Sequence, residues 1–106
     1  MIVRTWRAVA ASTADAAAYA EHLDTSVFPQ LREIDGHVGA YLMQRQSDER
    51  IAVQVITVWE SMRAIREFAG DAPEIAVVEP AAQRLLARFD DRVTHYEVVL
   101  ESGRGL

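Results

Sequence analysis

Residues 51–68, IAVQVITVWESMRAIREF, change their hydrophobic period half-way along and thereby decide the fold. The first half is rich in β-branched residues and ends on Trp59, as is typical of a buried strand. The second half carries apolar residues at three- and four-residue spacing, as an amphipathic helix does. Ser61 stands at the change, where its hydroxyl can cap the helix by accepting from the first amides. The stretch predicts a strand that brings a large indole to the start of a helix, beside a cavity between sheet and helices.

The composition predicts one globular domain, residues 1–101, followed by a frayed tail, residues 102–106. The chain has 106 residues, of which 50% are hydrophobic and 25% charged, and it has no cysteine. Disulfides, a thiolate nucleophile and cysteine-based metal sites are therefore excluded. A net charge of −5 argues against a nucleic-acid partner, which would require a clustered positive field.

No segment predicts membrane insertion. Arg4 and Arg7 interrupt the apolar residues 1–10, so these lack the hydrophobic region of a signal peptide. No run approaches the roughly 20 apolar residues that a membrane helix needs. A cytoplasmic location without membrane contact is the resulting expectation.

The remaining segments complete a βαββαβ order. A strand at 2–10 precedes a helix that begins at Ser12 and runs to about residue 33, with a kink near residues 27–28 because Pro29 lacks an amide donor. Further elements are predicted as a strand at 37–46, a hairpin turn at 47–50, a helix at 81–89 behind Pro80, and a last strand at 92–101. Residues 71–79 fit a loop or a partial helix. This order predicts an α+β, ferredoxin-like domain with an antiparallel sheet.

Four segments resemble the antibiotic biosynthesis monooxygenase superfamily. They are MIVRTWR, DGHVGAY, TVWESMRAIREFAG and VTHYEVV, and the W-x-S-x-x-A-I-x-x-F-A-G run is the most specific of the matches. The resemblance covers about residues 1–100. It implies a dimeric α+β barrel, that is, a homodimer formed by sheet-to-sheet packing. It also implies a pocket between the sheet and the helices of each subunit.

The superfamily is functionally broad, and the resemblance implies several activities. Some members oxygenate polycyclic phenols with O₂ and without metal or flavin, whereas others degrade haem or isomerise lactones. The haem degraders carry asparagine, tryptophan and histidine at positions that fall here on Trp6, Phe68 and Val78. Valine cannot ligate iron, so haem degradation is disfavoured.

His95, in the last strand, is the candidate catalytic residue, because an imidazole there could accept a phenolic proton. Trp6 and Phe68 are candidate walls for a planar substrate, with Tyr19 or Tyr41 as a polar anchor. The structural alternatives are a core role for Trp6 and a hydrogen-bonded sheet position for His95.

Arg4 could hold an anionic substrate, although an ion pair with Glu97 is the favoured interpretation. His22 and His37 are predicted to be exposed. The three histidines lack any metal-ligand spacing, so no metal site is expected.

The predicted function is a cofactor-independent monooxygenase that acts on an aromatic or polycyclic phenol. Two alternatives remain open at this point. One is a non-enzymatic domain of the same fold that binds a hydrophobic aromatic molecule. The other is a lactone isomerase-like enzyme, which would need a second acid or base beside His95.

Overall fold

The computed structural model describes residues 1–103 and has the predicted element order. Residues 104–106 of the predicted tail lie outside the described part. The elements are β1 (Ile2–Ala10), α1 (Thr13–His22), a π-helical turn (Leu23–Val27), α2 (Phe28–Arg32), β2 (His37–Ser47), β3 (Arg50–Trp59), α3 (Met62–Ala69), α4 (Pro80–Gln83), β4 (Arg88–Phe89) and β5 (Thr94–Glu97). No helix among the described residues is long and apolar enough to span a membrane.

The sheet is antiparallel throughout, with β3 and β1 at its centre. Its strand order is β2-β3-β1-β4, and β5 also pairs with β1. The short strands β4 and β5 therefore share one edge of β1, with β5 along residues 2–5 and β4 along residues 8–9. The prediction of an α+β, ferredoxin-like fold is confirmed.

The predicted helix at residues 81–89 is wrong beyond its first turn. Helix α4 ends at Gln83, and Arg88 and Phe89 instead pair with β1. Backbone bonds from Ala87 to Val9 (2.8 Å) and from Asp90 to Arg7 (3.0 Å) extend this pairing. The edge of β1 has backbone donors and acceptors that need hydrogen-bond partners. The hydrogen bonds formed with this edge stabilise a strand more than the helical pattern of the segment stabilises a helix. The last strand is likewise shorter than predicted, since regular pairing stops at Glu97.

The long first helix is interrupted where Pro29 predicted a kink. The amide of Phe28 donates to the carbonyl of Leu23, five residues back, which defines a π-helical turn. The Thr25 hydroxyl donates to the Glu21 carbonyl (2.8 Å), satisfying an acceptor inside the disrupted stretch. The extra residue in this turn changes which side chains of the following helix face the sheet.

Trp59 is the centre of one of the two core clusters. It is 0% exposed and clusters with Leu31, Ala64 and Ile65. The Ser61 hydroxyl accepts from the amide of Ala64 (3.2 Å), which confirms the predicted N-cap of α3.

Gly36 lets the chain pass close to α3. It has a φ of +95°, and a Cβ there would lie 2.8 Å from the Cβ of Ala64. Both the backbone conformation and the close approach therefore require glycine at this position.

The two faces of the sheet differ in what covers them. The strand register places Arg4, Trp6 and Ala8 on the same face as Val53, Val55 and Thr57, and the helices pack on this face. The opposite face carries large side chains that remain exposed: Tyr41 (44%), Met43 (43%) and Tyr96 (57%). One face of the sheet therefore forms the core, whereas the other has no covering layer among residues 1–103.

Candidate functional site

A cavity of about 70 Å³ lies between the helix-bearing face of the sheet and the helices. Its floor comes from β1 and β3, its walls from α1, the π-helical turn, α2 and α3, and its cover from residues 77–79 and α4. For comparison, an engineered apolar cavity of about 150 Å³ binds benzene. The partly open cavity has less than half of this volume, so an aromatic ring needs additional space there.

Three aromatic residues predicted to bind substrate line this cavity: Trp6, Tyr19 and Phe68. The Trp6 indole donates to the Asp90 carbonyl (2.7 Å), and its ring lies 6.4 Å from that of Tyr19, so it is held in place. Tyr19 is 3% exposed, and burial raises the pKa of its phenol. The Tyr19 hydroxyl thus stays neutral and able to donate a hydrogen bond at physiological pH.

Arg4 places a buried positive charge in the wall of this cavity. It is 5% exposed, and burial lowers its pKa to about 10, so the guanidinium stays charged at neutral pH. Its Nη1 donates to the Pro73 carbonyl and its Nη2 to the Ile75 carbonyl (3.2 Å). Its Cζ lies 5.9 Å from the centroid of Phe68, within cation–π range. Arg4 therefore ties β1 to the loop at residues 71–79.

The predicted ion pair between Arg4 and Glu97 is wrong. The β1–β5 register places Glu97 opposite Ile2 and His95 opposite Arg4. Among residues 1–103, no carboxylate lies within salt-bridge distance of Arg4. The guanidinium thus has neutral partners only, and its charge has no counterion in the described structure.

His95 lies beside Arg4 and is not among the residues that line the cavity. Its Nε2 is 3.0 Å from Nη1 of Arg4 and must accept, since a guanidinium can only donate. Burial lowers the pKa of His95, the Arg4 charge lowers it further, and Glu74 acts in the opposite direction. The imidazole is therefore kept neutral, and its role as a base stays a prediction.

The predicted exposure of His22 is wrong. Its side chain is 13% exposed and lines the cavity, and its Nε2 is buried with no hydrogen-bond partner in the described structure. The Glu79 carboxylate is the nearest charged group, with Oε2 3.9 Å from Nε2. The signal in the sequence was the spacing of Ala16, Tyr19 and Leu23, which places Tyr19 and His22 on the buried flank of α1.

Tyr41 and Val78 are also singled out in the sequence, and the structure places them differently. Tyr41 pairs with Ile56 and lies on the uncovered face of the sheet, so it does not line the cavity. Val78 does line it. No cluster of three or more potential metal ligands occurs in the part of the chain that the structure describes.

Comparison with solved structures identifies the fold. A candidate antibiotic biosynthesis monooxygenase from Bacillus cereus superimposes with a TM-score of 0.70 at 13% identity, covering 100% of this chain and 98% of that one. The chain has the fold of the antibiotic biosynthesis monooxygenases. A second match is the haem degrader MhuD from Mycobacterium tuberculosis, solved with two haems bound in its active site. It has a TM-score of 0.63 at 19% identity, over 97% of this chain and 100% of that one.

A third structure of the antibiotic biosynthesis monooxygenase fold contains a bound small molecule. It is the ActVA-Orf6 monooxygenase from Streptomyces coelicolor in complex with nanaomycin D, with a TM-score of 0.60 at 21% identity, over 95% of this chain and 92% of that one. No protein-family model matches the chain, and no curated protein matches it significantly. At these identities the likeness establishes the fold alone, and the reaction must be argued from the site.

Proposed function

We propose that the cavity binds a small aromatic phenol as its anion, next to Arg4, and that the protein oxygenates it with O₂ without metal or flavin. The observation that carries this proposal is a buried guanidinium without a carboxylate in salt-bridge contact among residues 1–103, in a cavity lined mainly by aromatic and aliphatic side chains. An uncompensated buried charge is costly, so a ligand that carries a negative charge once bound beside Arg4 is favoured over one that stays neutral.

The chemistry follows from the charge of Arg4. A nearby positive charge favours the ionised form of a phenol, and the phenolate ring is the electron-rich species that reacts with O₂. Trp6 and Phe68 hold the ring by apolar contact, while His95 keeps the Arg4 guanidinium in position. When the substrate is a dihydroxynaphthalene, one atom of O₂ becomes bonded to a ring carbon. The other atom leaves as water with two hydrogens from the substrate, so the substrate supplies both electrons and no cofactor is needed.

We expect residues 71–79 to move when the phenol enters, because the cavity has less than half the volume of one that binds benzene. This segment has no regular secondary structure and is held by few bonds, including Ala76 to Asp91 and Val93 to Glu74 (both 2.9 Å). Arg4 supplies two more through the Pro73 and Ile75 carbonyls. A phenolate that takes over donors of Arg4 would release part of this attachment, so binding and opening are coupled.

Oxygen consumption tests the function directly. Purified protein treated with a chelator is expected to consume O₂ faster than buffer does when 1,4-dihydroxynaphthalene is added. His95→Ala is expected to abolish the excess uptake, because the guanidinium loses the group that positions it.

Excess uptake that persists in His95→Ala would remove His95 from the mechanism. Uptake no faster than autoxidation in the wild type would overturn the oxygenase assignment. A phenol-dependent rise in Tm without uptake would favour the non-enzymatic binding domain instead.

We also propose that the uncovered face of the sheet forms a homodimer interface. Tyr41, Met43 and Tyr96 would be buried there, together with Val99 and Leu100, which are 89% and 88% exposed. A sheet with helices on one side leaves an apolar layer to be covered, and a second copy of the chain covers it symmetrically. Sedimentation at micromolar concentration should show a dimer, and a monomer alone would contradict this assembly.

A further inference from the structure

We infer that His22, supported by Glu79, accepts the proton of the phenol that binds in the cavity. The inference rests on the proposed function and adds the residue that generates the phenolate. It also defines the ligand class, since the site then receives a neutral hydroxylated aromatic and ionises it after entry.

The position of Nε2 of His22 is the primary observation. This nitrogen is buried, has no hydrogen-bond partner among residues 1–103, and belongs to a side chain that lines the cavity. Buried polar atoms are normally paired, so an unpaired one at a cavity wall marks a place where a ligand completes the bonding. With the proton on Nδ1, Nε2 presents its lone pair for that purpose.

The surroundings of the two candidate bases distinguish them. Nε2 of His95 already accepts from Arg4, and protonating it would place two cations 3.0 Å apart. Nε2 of His22 has no such donor, and a protonated His22 would face the Glu79 carboxylate, 3.9 Å away. His22 is therefore the better proton acceptor.

The charges balance within the cavity. The phenol O–H bond breaks, its electron pair stays on the oxygen, and the proton bonds to Nε2 of His22. The resulting phenolate is matched by Arg4 and the resulting imidazolium by Glu79. The ionisable side chains that line the cavity are Arg4, Tyr19, His22 and Glu79. Arg4 and His22 line the same cavity, so one ligand held there can contact both groups.

The absorption spectrum of a bound phenol tests this assignment without any turnover. 4-Cyanophenol serves as the probe, because its anion absorbs at longer wavelength than its neutral form and it is not oxidised by O₂ alone. The wild type is expected to bind it at neutral pH with the spectrum of the anion. In His22→Gln, the ratio of bound phenolate to bound phenol is expected to fall about tenfold, the equivalent of one pKa unit.

Three further variants make the test specific. Glu79→Gln retains His22 and is expected to lower the phenolate fraction less than His22→Gln does. His37→Gln is the matched control, because His37 packs against Trp59 (4.8 Å between ring centroids) outside the cavity lining, and it should leave the spectrum unchanged. His95→Gln tests the rival base.

The outcomes separate this inference from the proposed function. An anion spectrum that survives in both His22→Gln and Glu79→Gln overturns the role of His22, while phenolate binding at Arg4 still stands. Loss of the anion spectrum in His95→Gln but not in His22→Gln also overturns the role of His22. A wild type that does not bind the probe overturns both the inference and the proposed function.

Discussion

Replacing Trp59 with alanine is expected to lower the free energy of unfolding by about 3–5 kcal/mol. The indole is fully buried against Leu31 and Ile65, stacks on Phe68 (6.2 Å between centroids) and donates to the Thr57 hydroxyl (2.8 Å). Truncation leaves a cavity between β3 and the helices that the surrounding sheet cannot close. Domains of this size are stable by only about 5–15 kcal/mol, so the variant should be near its unfolding threshold.

Urea denaturation of the wild type and of two variants measures this effect. Thr57→Val is the matched comparison, since it removes the hydrogen-bond acceptor of the indole and leaves its packing intact. An unsatisfied buried donor costs about 1–3 kcal/mol, so this variant should lose less than Trp59→Ala. A loss below about 1 kcal/mol in Trp59→Ala would contradict the central place of the indole in the core.

Replacing Arg4 with methionine is expected to weaken phenol binding roughly 100-fold, or about 3 kcal/mol, without lowering the stability of the free protein. The guanidinium is buried without a counterion, and exchanging a buried charge for an apolar side chain of similar volume is often neutral or stabilising. The Pro73 and Ile75 carbonyls, which lose a donor, lie in a segment that water can reach once it loosens.

Binding of 4-cyanophenol and thermal unfolding, measured on the same preparations, check both halves of this prediction. Arg7→Met is the matched control: Arg7 lies on the same strand but points to the other face, where it forms an exposed ion pair with Asp90 at 3.4 Å. This control should change neither quantity appreciably, because exposed ion pairs contribute about 0–1 kcal/mol. Unchanged phenol binding in Arg4→Met would remove the basis of the proposed function.

Trp59 and Arg4 lie in the same part of the molecule but have different expected roles, one in stability and one in binding. Trp59, at the end of β3, is expected to stabilise the fold, whereas Arg4, on the neighbouring strand β1, is expected to bind the ligand. Strain and uncompensated charge tend to be tolerated where a ligand relieves them. A stable, binding-deficient Arg4→Met would show this division directly.

The local pattern of residues was sufficient for the element order and its main landmarks. The change of period around Ser61 predicts the strand, the N-cap and the helix as the structure has them. Pro29 predicts the interruption of the first helix, since the missing amide is a local chemical fact. These features depend on neighbours within a few positions, so they can be derived from the sequence alone.

Only the tertiary structure decided which polar groups meet. Arg4 faces His95 and two loop carbonyls instead of Glu97, because a register between strands distant in sequence sets the pairing. Helix 81–89 gives way to β4 because the free edge of β1 offers hydrogen bonds that no local pattern reports.

His22 shows the same limit at the level of a single side chain. Its burial follows from the packing of α1 on the sheet and from the loop that brings Glu79 beside it. The sequence by itself determined the fold, through contacts between near neighbours. The composition of the cavity, with its buried cation and unpaired imidazole, was decided by long-range packing.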